Sequence, residues 1–384
     1  MLNEPNSPIP ISTIRHPWEA ESPIPDRPKD WDYGYVLLNK AYGCTREGLI
    51  KIIVIHGTAV TRVWTPGSSE AVRPETVDFL IAGFQQRIRK DARFSILVGI
   101  ALAGLAAILA IVVGEWRVLY RSFFGVFGLF GIAEGTWSFY KSKSHGRADV
   151  QAEFEAAQFT AWVEKKKVSG YTVGLIAAII LVCLLQLLTG GLHGENQSIN
   201  AAGLVKPAVW QGQVWRLATA TLMHVNFTHI WMNLASLLYL SRMIEQRISS
   251  MFLPLVFFTS GISGSILSLL LYPNTTSVGA SGGIMGLLGF ATAAAWIHRG
   301  AFPTRFYRNL LGAIAFTGVF GLIGFAFIDN AAHLGGLLCG AGLGFYFLRE
   351  RLYPGKRVKS LSIVSLILIL LTAAFAVHQL LKLI

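Results

Sequence analysis

Five residues of this chain combine types and spacings that can do chemistry: Ser281, His333, His224, His229 and Asn233. Ser281 sits in Val278-Gly279-Ala280-Ser281-Gly282-Gly283, a glycine-rich turn that runs straight into an apolar segment. Glycines let the backbone bend sharply and leave the hydroxyl uncovered. The helix N-terminus that follows offers unpaired N–H groups and a positive dipole end, which suits an alkoxide or oxyanion. A plain N-cap serine would read the same way, and Gly-x-Ser-Gly outside the strand-to-helix setting of a soluble hydrolase elbow is a weak motif. His229 and Asn233 stand four apart, on one helical face, where both side chains can donate to a common point. They also suit interhelical polar glue.

A serine nucleophile needs a base within hydrogen-bond reach. His333 follows Asp329-Asn330-Ala331-Ala332 and precedes Leu334-Gly335-Gly336, with Gly340 and Gly344 continuing at four-residue spacing. Gly282, Gly286 and the nearby Gly289 give the Ser281 segment a small-residue face as well, and such faces let two helix backbones approach closely. That approach would bring His333 to Ser281. Asp329, one turn before His333, invites a triad, but a carboxylate at a helix end is more often a cap or solvated, so a Ser-His dyad is the simpler expectation.

The elements that must hold these residues are membrane helices. Of 384 residues, 53% are hydrophobic and 14% charged, far from the roughly 25% charged of soluble domains. Apolar segments fall at Ile96 to Val113, Phe123 to Tyr140, Tyr171 to Leu188, Ala220 to Leu240, Phe252 to Leu271, Ser281 to Ile297, Leu310 to Ile328, Ala332 to Leu348 and Ile363 to Leu381. Most approach the roughly 20 residues of a spanning helix, so nine crossings are expected. The second is the weakest, diluted by four glycines and Glu134. Counting Lys and Arg in alternate loops gives 20 on one side and 5 on the other. Positive charge stays on the cytoplasmic side, which predicts an internal N-terminus, an external C-terminus, and external placement of the helix ends bearing His229, Ser281 and His333. The connection Thr189 to Arg216 is then the longest external loop, with Trp210 and Trp215 placed for an interfacial belt.

The net charge of +12 lies mostly in short runs between apolar segments, which argues against a nucleic-acid partner and for topology. Cys44, Cys183 and Cys339 are scattered, and support neither a disulfide framework nor a metal site. Residues 1–30 hold seven of the fourteen prolines and no apolar h-region, so a disordered tail without a cleavable signal is expected. Residues 31–93 read as a small α+β soluble domain: Leu49 to His56 and Thr58 to Trp64 are β-rich runs meeting at Gly57, and Pro74 to Arg93 reads as a helix. After the hairpin at 94–140, the basic segment 141–169 is either a plain linker or an amphipathic helix against anionic lipid.

Taken together, Trp215-Arg216, His224-x4-His229-x3-Asn233, Gly279-Ala280-Ser281-Gly282 and His333-x2-Gly336-x3-Gly340 resemble the rhomboid family of intramembrane serine proteases. The resemblance covers Tyr171 to Leu348 and implies an all-α polytopic membrane protein. Its rhomboid-like six-helix core (170–349) would be joined by one C-terminal crossing (350–384) and an extra N-terminal hairpin. It further implies that Ser281 attacks the scissile carbonyl, that His333 accepts its proton, and that His229 and Asn233 with the Ser281 N–H form the oxyanion hole. His224, Gly279, Trp215 and Arg216 would support the site. No cofactor is implied. Substrates would be single-pass transmembrane proteins, and the location a cell (inner) membrane. Two departures stand out: Met285 replaces an aromatic on which the histidine ring rests in many relatives, and Gly283 replaces a bulkier residue, which would loosen the serine turn. A catalytically silent client-binding protein is the alternative, although such chains usually lack the Ser or the His. A transporter is disfavoured, because the core crossings show neither a path of ionisable residues nor inverted repeats.

Overall fold

The computed structural model describes residues 24–383 apart from positions 118, 120, 121, 190–196, 324–327 and 351. Most of the proline-rich tail therefore lies outside the described residues, as do part of the long connection between Thr189 and Arg216 and part of the crossing expected at Leu310 to Ile328. The chain divides into two compact units between Trp162 and Val163.

In the first unit, β1 (Tyr33–Leu37), β2 (Lys40–Cys44) and β3 (Val60–Trp64) form an antiparallel sheet in the order β2-β1-β3, with α1 (Arg46–His56) between β2 and β3. The run Leu49 to His56 is thus helical, not β. Thr45 caps it by accepting from Gly48 N at 3.0 Å, and Leu49 and Ile53, four apart, are both fully buried. Placing both on one helical face outweighs the strand preference of a β-branched run. α2 (Asp78–Val113) is one continuous 36-residue helix that merges the expected soluble helix with the first apolar segment. It meets α3 (Phe123–Lys141) with backbones nearly touching: a Cβ on Gly99 would lie 2.7 Å from the Gly128 carbonyl oxygen. The 141–169 segment is neither a plain linker nor wholly a surface helix. It forms α4 (Arg147–Glu164), whose Val150 and Phe154 join Leu49, Ile53, Val60, Val63, Leu80 and Phe84 in one core.

The second unit begins with α5 (Gly170–Leu188), then α6 (Gln197–Ala202), β4 (Leu204–Val205), α7 (Lys206–Trp210) and α8 (Arg216–Thr219). α9 (Phe227–Arg247) and α10 (Phe252–Leu271) follow, then β5 (Thr276–Ser277), which pairs antiparallel with β4. α11 (Ser281–Ile297), α12 (Phe306–Ile323), α13 (Asn330–Leu348) and α14 (Lys356–Leu381) complete it. All nine apolar segments contain a long helix. Five are both long and apolar enough to cross a membrane on their own, α2, α5, α10, α13 and α14, while α11 and α12 are apolar but shorter. α3 and α9 fall outside this class for a physical reason. Glu134 and its glycines dilute α3, and α9 carries His229, Asn233, Arg242, Glu245 and Arg247. The chain is a multi-pass membrane protein of predominantly helical fold.

Candidate active site

Three helix N-termini meet at Ser281; two are set by side-chain caps, and that of Ser281 itself follows a glycine turn. The expected helix over Ala220 to Leu240 is interrupted: Met223 is extended, and Asn226 is the N-cap of α9, its Oδ1 accepting from His229 N at 2.9 Å. His224 and Asn226 therefore precede the helix that carries His229 and Asn233, and do not belong to it. The cause is Asn226 itself, whose side chain satisfies a first-turn N–H and stops the helix from extending backwards.

The freed segment is fixed from α5. Gln186 donates from Nε2 to the His224 carbonyl and accepts from the His224 N–H at Oε1, both at 2.9 Å. One side-chain amide thus pairs both backbone groups of a fully buried residue. Cys183 Sγ lies 3.5 Å from His224 Nδ1, and the His224 and His229 rings meet edge to face at 5.0 Å. His224 accordingly packs against His229. Gln186 was not singled out by its sequence, although an amide deep in an apolar run was the signal available for finding it.

At α11 the N-cap position belongs to Ala280, and Ser281 is the first helical residue. The plain-cap reading of Ser281 is overturned. The turn before it is closed by Gly279 N donating to Ala220 O at 2.9 Å, with Gly279 at φ +136°. A Cβ on Gly279 would lie 2.7 Å from His229 Cε1, 2.9 Å from His229 Nε2 and 3.7 Å from Ser281 Oγ. The His229 ring and the serine hydroxyl therefore flank the same small volume, and glycine is required there both sterically and by φ. Gly283 leaves no looseness in the turn, because a Cβ there would lie 2.7 Å from the Phe257 ring. Met285 is buried one turn further along α11.

α13 is capped by Asp329, whose Oδ1 accepts from Ala332 N at 2.9 Å, while its Oδ2 accepts from Ser268 Oγ and lies 3.9 Å from Lys206 Nζ. Both carboxylate oxygens are engaged by other partners, and among the described residues no hydrogen bond joins Asp329 to the His333 ring, so the hydrogen-bonded triad is not formed. A Cβ on Gly336 or on Gly340 would overlap the carbonyl of Gly282 or of Gly286 respectively, and a Cβ on Gly282 would sit 3.5 Å from Ala332 O. The two backbones thus run in contact, and the residues adjoining Ser281 and His333 touch. Among the described residues no hydrogen bond joins Ser281 to His333, and His333 Nδ1 is buried with no partner. A buried unpaired nitrogen is unusual enough to need an explanation, and catalytic hydrogen bonds are often long before substrate binds. Asn233 is buried, with Nδ2 donating to the His229 carbonyl at 3.0 Å, so the amide is turned back on its own helix.

Trp215 and Arg216 lie in the connection before α9. Arg216 donates from Nη1 to Gly203 O at 2.7 Å and from Nε to Gln213 Oε1 at 2.8 Å, and its guanidinium stacks 4.6 Å from the Trp215 ring. Trp215 in turn meets Phe375 of α14 at 5.0 Å. These two residues pin the connection, and neither lines the cleft at Ser281. A cleft of about 30 Å³, lined by Ser281, Gly279, Thr221, Ser265, Ser277 and Asp329, opens beside the serine and has room for about one water.

A rhomboid domain model matches residues 211–350. RHOMBOID-like protein 6, mitochondrial, of Arabidopsis thaliana is 34% identical over 147 residues, which are 38% of this chain and 47% of the relative. Rhomboid-like protease 1 of Toxoplasma gondii is 31% identical over 191 residues, 46% of this chain and 64% of the relative. Rhomboid protease GluP of Bacillus subtilis is 30% identical over 174 residues, 44% of this chain and 33% of the relative. The alignments thus cover less than two thirds of the length of each of these relatives. The matched stretch holds His224, His229, Asn233, Ser281 and His333 together with the helix ends that carry them, and it is this stretch, residues 211–350, that belongs to the rhomboid family.

Proposed function

We propose that this protein is an intramembrane serine endopeptidase that cleaves transmembrane segments of membrane proteins through a Ser281–His333 dyad. One observation carries the reading. α11 and α13 run backbone to backbone from their first turns, with the His229 ring packed at the serine turn, which supports a nucleophile, a base and a donor acting at one small volume. In the proposed reaction His333 takes the Ser281 proton as Oγ attacks the scissile carbonyl, and the oxyanion forms against the His229 ring and the Ser281 N–H. His333 then protonates the leaving amine, leaving an acyl-enzyme that water hydrolyses in the reverse sequence. The absence of a Ser281–His333 hydrogen bond fits a dyad whose contact tightens only when substrate binds. Asn233 supplies a further oxyanion donor once its amide swings from the His229 carbonyl.

Charge bias supports a cytoplasmic N-terminus and an external C-terminus in a cell membrane, with water entering from the external face where the three N-termini lie. Single-pass proteins whose helix unwinds near that face are the substrates this geometry suits, since an intact helix shields its own carbonyls. The test is labelling of the purified full chain by a fluorophosphonate, comparing wild type with Ser281→Ala and His333→Ala. Labelling of wild type alone is expected. A folded wild type that neither labels nor cleaves a generic transmembrane substrate would sink the reading and leave a catalytically silent client-binding protein.

A further inference from the structure

Lys206 is fully buried, and an unpaired ammonium in such a place is expensive. Its surroundings explain how it is held. Lys206 Nζ donates to Thr275 Oγ1 at 2.6 Å and to Ser277 Oγ at 3.1 Å, and stands 3.9 Å from Asp329 Oδ2. The Tyr272 ring lies 5.8 Å away. Burial holds the ammonium below the usual lysine range, and Asp329 pulls the other way.

What matters is where these partners lead. Thr275 and Ser277 belong to the segment that ends in the serine turn; Ser277 pairs with Leu204 across the β4–β5 ladder, four residues before Ser281. Asp329 is the cap of α13, and its other oxygen holds Ala332 N, adjacent to His333. Ser268 of α10 donates to the same carboxylate. A single ammonium therefore ties the segment entering the nucleophile to the cap of the helix carrying the base, and it sits outside the two helices it joins. The glycine contact between α11 and α13 sets how close these helices come, while a contact at their common end sets how far one slides along the other.

We propose that Lys206 and Asp329 form a positioning pair that sets the register of Ser281 against His333. The proposal rests on the dyad reading. Neither residue touches the reacting atoms, so the expected signature is on the chemical step alone. The test uses full-length protein in detergent at a temperature where every variant is folded, and fluorophosphonate labelling resolved into the probe's binding constant and its inactivation rate. Lys206→Met and Asp329→Asn should each slow inactivation roughly 10- to 100-fold with probe binding little changed, the size expected when reacting groups are displaced by about 1 Å. The double variant should be no slower than the worse single, because each substitution removes the same link. Asp329→Asn keeps an oxygen for Ala332 N while removing both the charge and the acceptor that face Lys206 and Ser268, so it decides the matter if Lys206→Met does not fold. Inactivation at the wild-type rate in a folded single variant, or a double variant that multiplies the two losses, overturns the positioning pair while leaving the dyad intact. A wild type that does not label overturns both.

Discussion

Gly279→Ala tests the geometry of the serine turn at its tightest point, with Gly282→Ala as the matched control three residues on. At φ +136° an L-residue is strained, by about 1–3 kcal/mol. The added Cβ would also lie 2.7 Å from His229 Cε1 and 2.9 Å from Nε2, an overpacking that costs typically about 1–3 kcal/mol where the neighbour cannot retreat. The His229 ring can give way, but only by leaving the volume beside Ser281. A mid-range loss of about 3 kcal/mol lowers the thermal midpoint of a unit this size by about 10 °C. Displacing one oxyanion donor should slow fluorophosphonate labelling by roughly 100 to 1,000 fold. At Gly282 the nearest atom to a Cβ is Ala332 O at 3.5 Å, an ordinary contact with no unusual φ. Gly282→Ala should therefore label near the wild-type rate and gain about 0.4–1 kcal/mol from reduced unfolded-state freedom. The assay is the labelling rate of folded protein beside a thermal melt of the same sample. Wild-type labelling by a folded Gly279→Ala would refute the placement of His229 as a donor, and equal damage from both substitutions would refute the steric argument.

Gln186→Leu strips both backbone hydrogen bonds from His224 in a buried setting, a loss of about 2–5 kcal/mol that a thermal melt will register; an unchanged midpoint would mean the segment has other partners. Glu75 is 4% exposed with Oε2 unpaired, and burial raises its carboxyl above the ordinary value of 4.5 against weaker opposing pulls from its own backbone hydrogen bond, Arg73 and Arg62. Its stabilising share is thus complete below pH 4.5 and lost as pH rises through the raised value. Glu75→Gln should slow hydrogen exchange in β1 to β3 at neutral pH, with the difference vanishing in acid, and faster exchange at neutral pH would show that the arginines outweigh burial.

The positions of the membrane helices and the residues worth suspecting were legible because both follow from local constraints. Hydrocarbon demands about 20 apolar residues per crossing, so the bounds of α5, α10 and α11 stand out, and a polar side chain kept there at a cost marks itself. The glycine spacing of Gly282, Gly286, Gly336 and Gly340 foretold the close backbone approach. In the first unit local pattern misled. The β-branched run after Leu49 is helical because Leu49 and Ile53 find a core built from residues as distant as Phe154, and the β1–β2 hairpin, with Leu38 and Asn39 at positive φ, carries no Asn-Gly signal. Tertiary structure alone decided that Asp329 is engaged by Lys206 and Ser268, that Asn226 ends a helix expected to run through it, and that Gln186 holds His224 from 38 residues away. A helix is specified by what each residue requires of its solvent and its near neighbours. The partner of a buried polar group is specified only by which distant segment the packed helices carry to it.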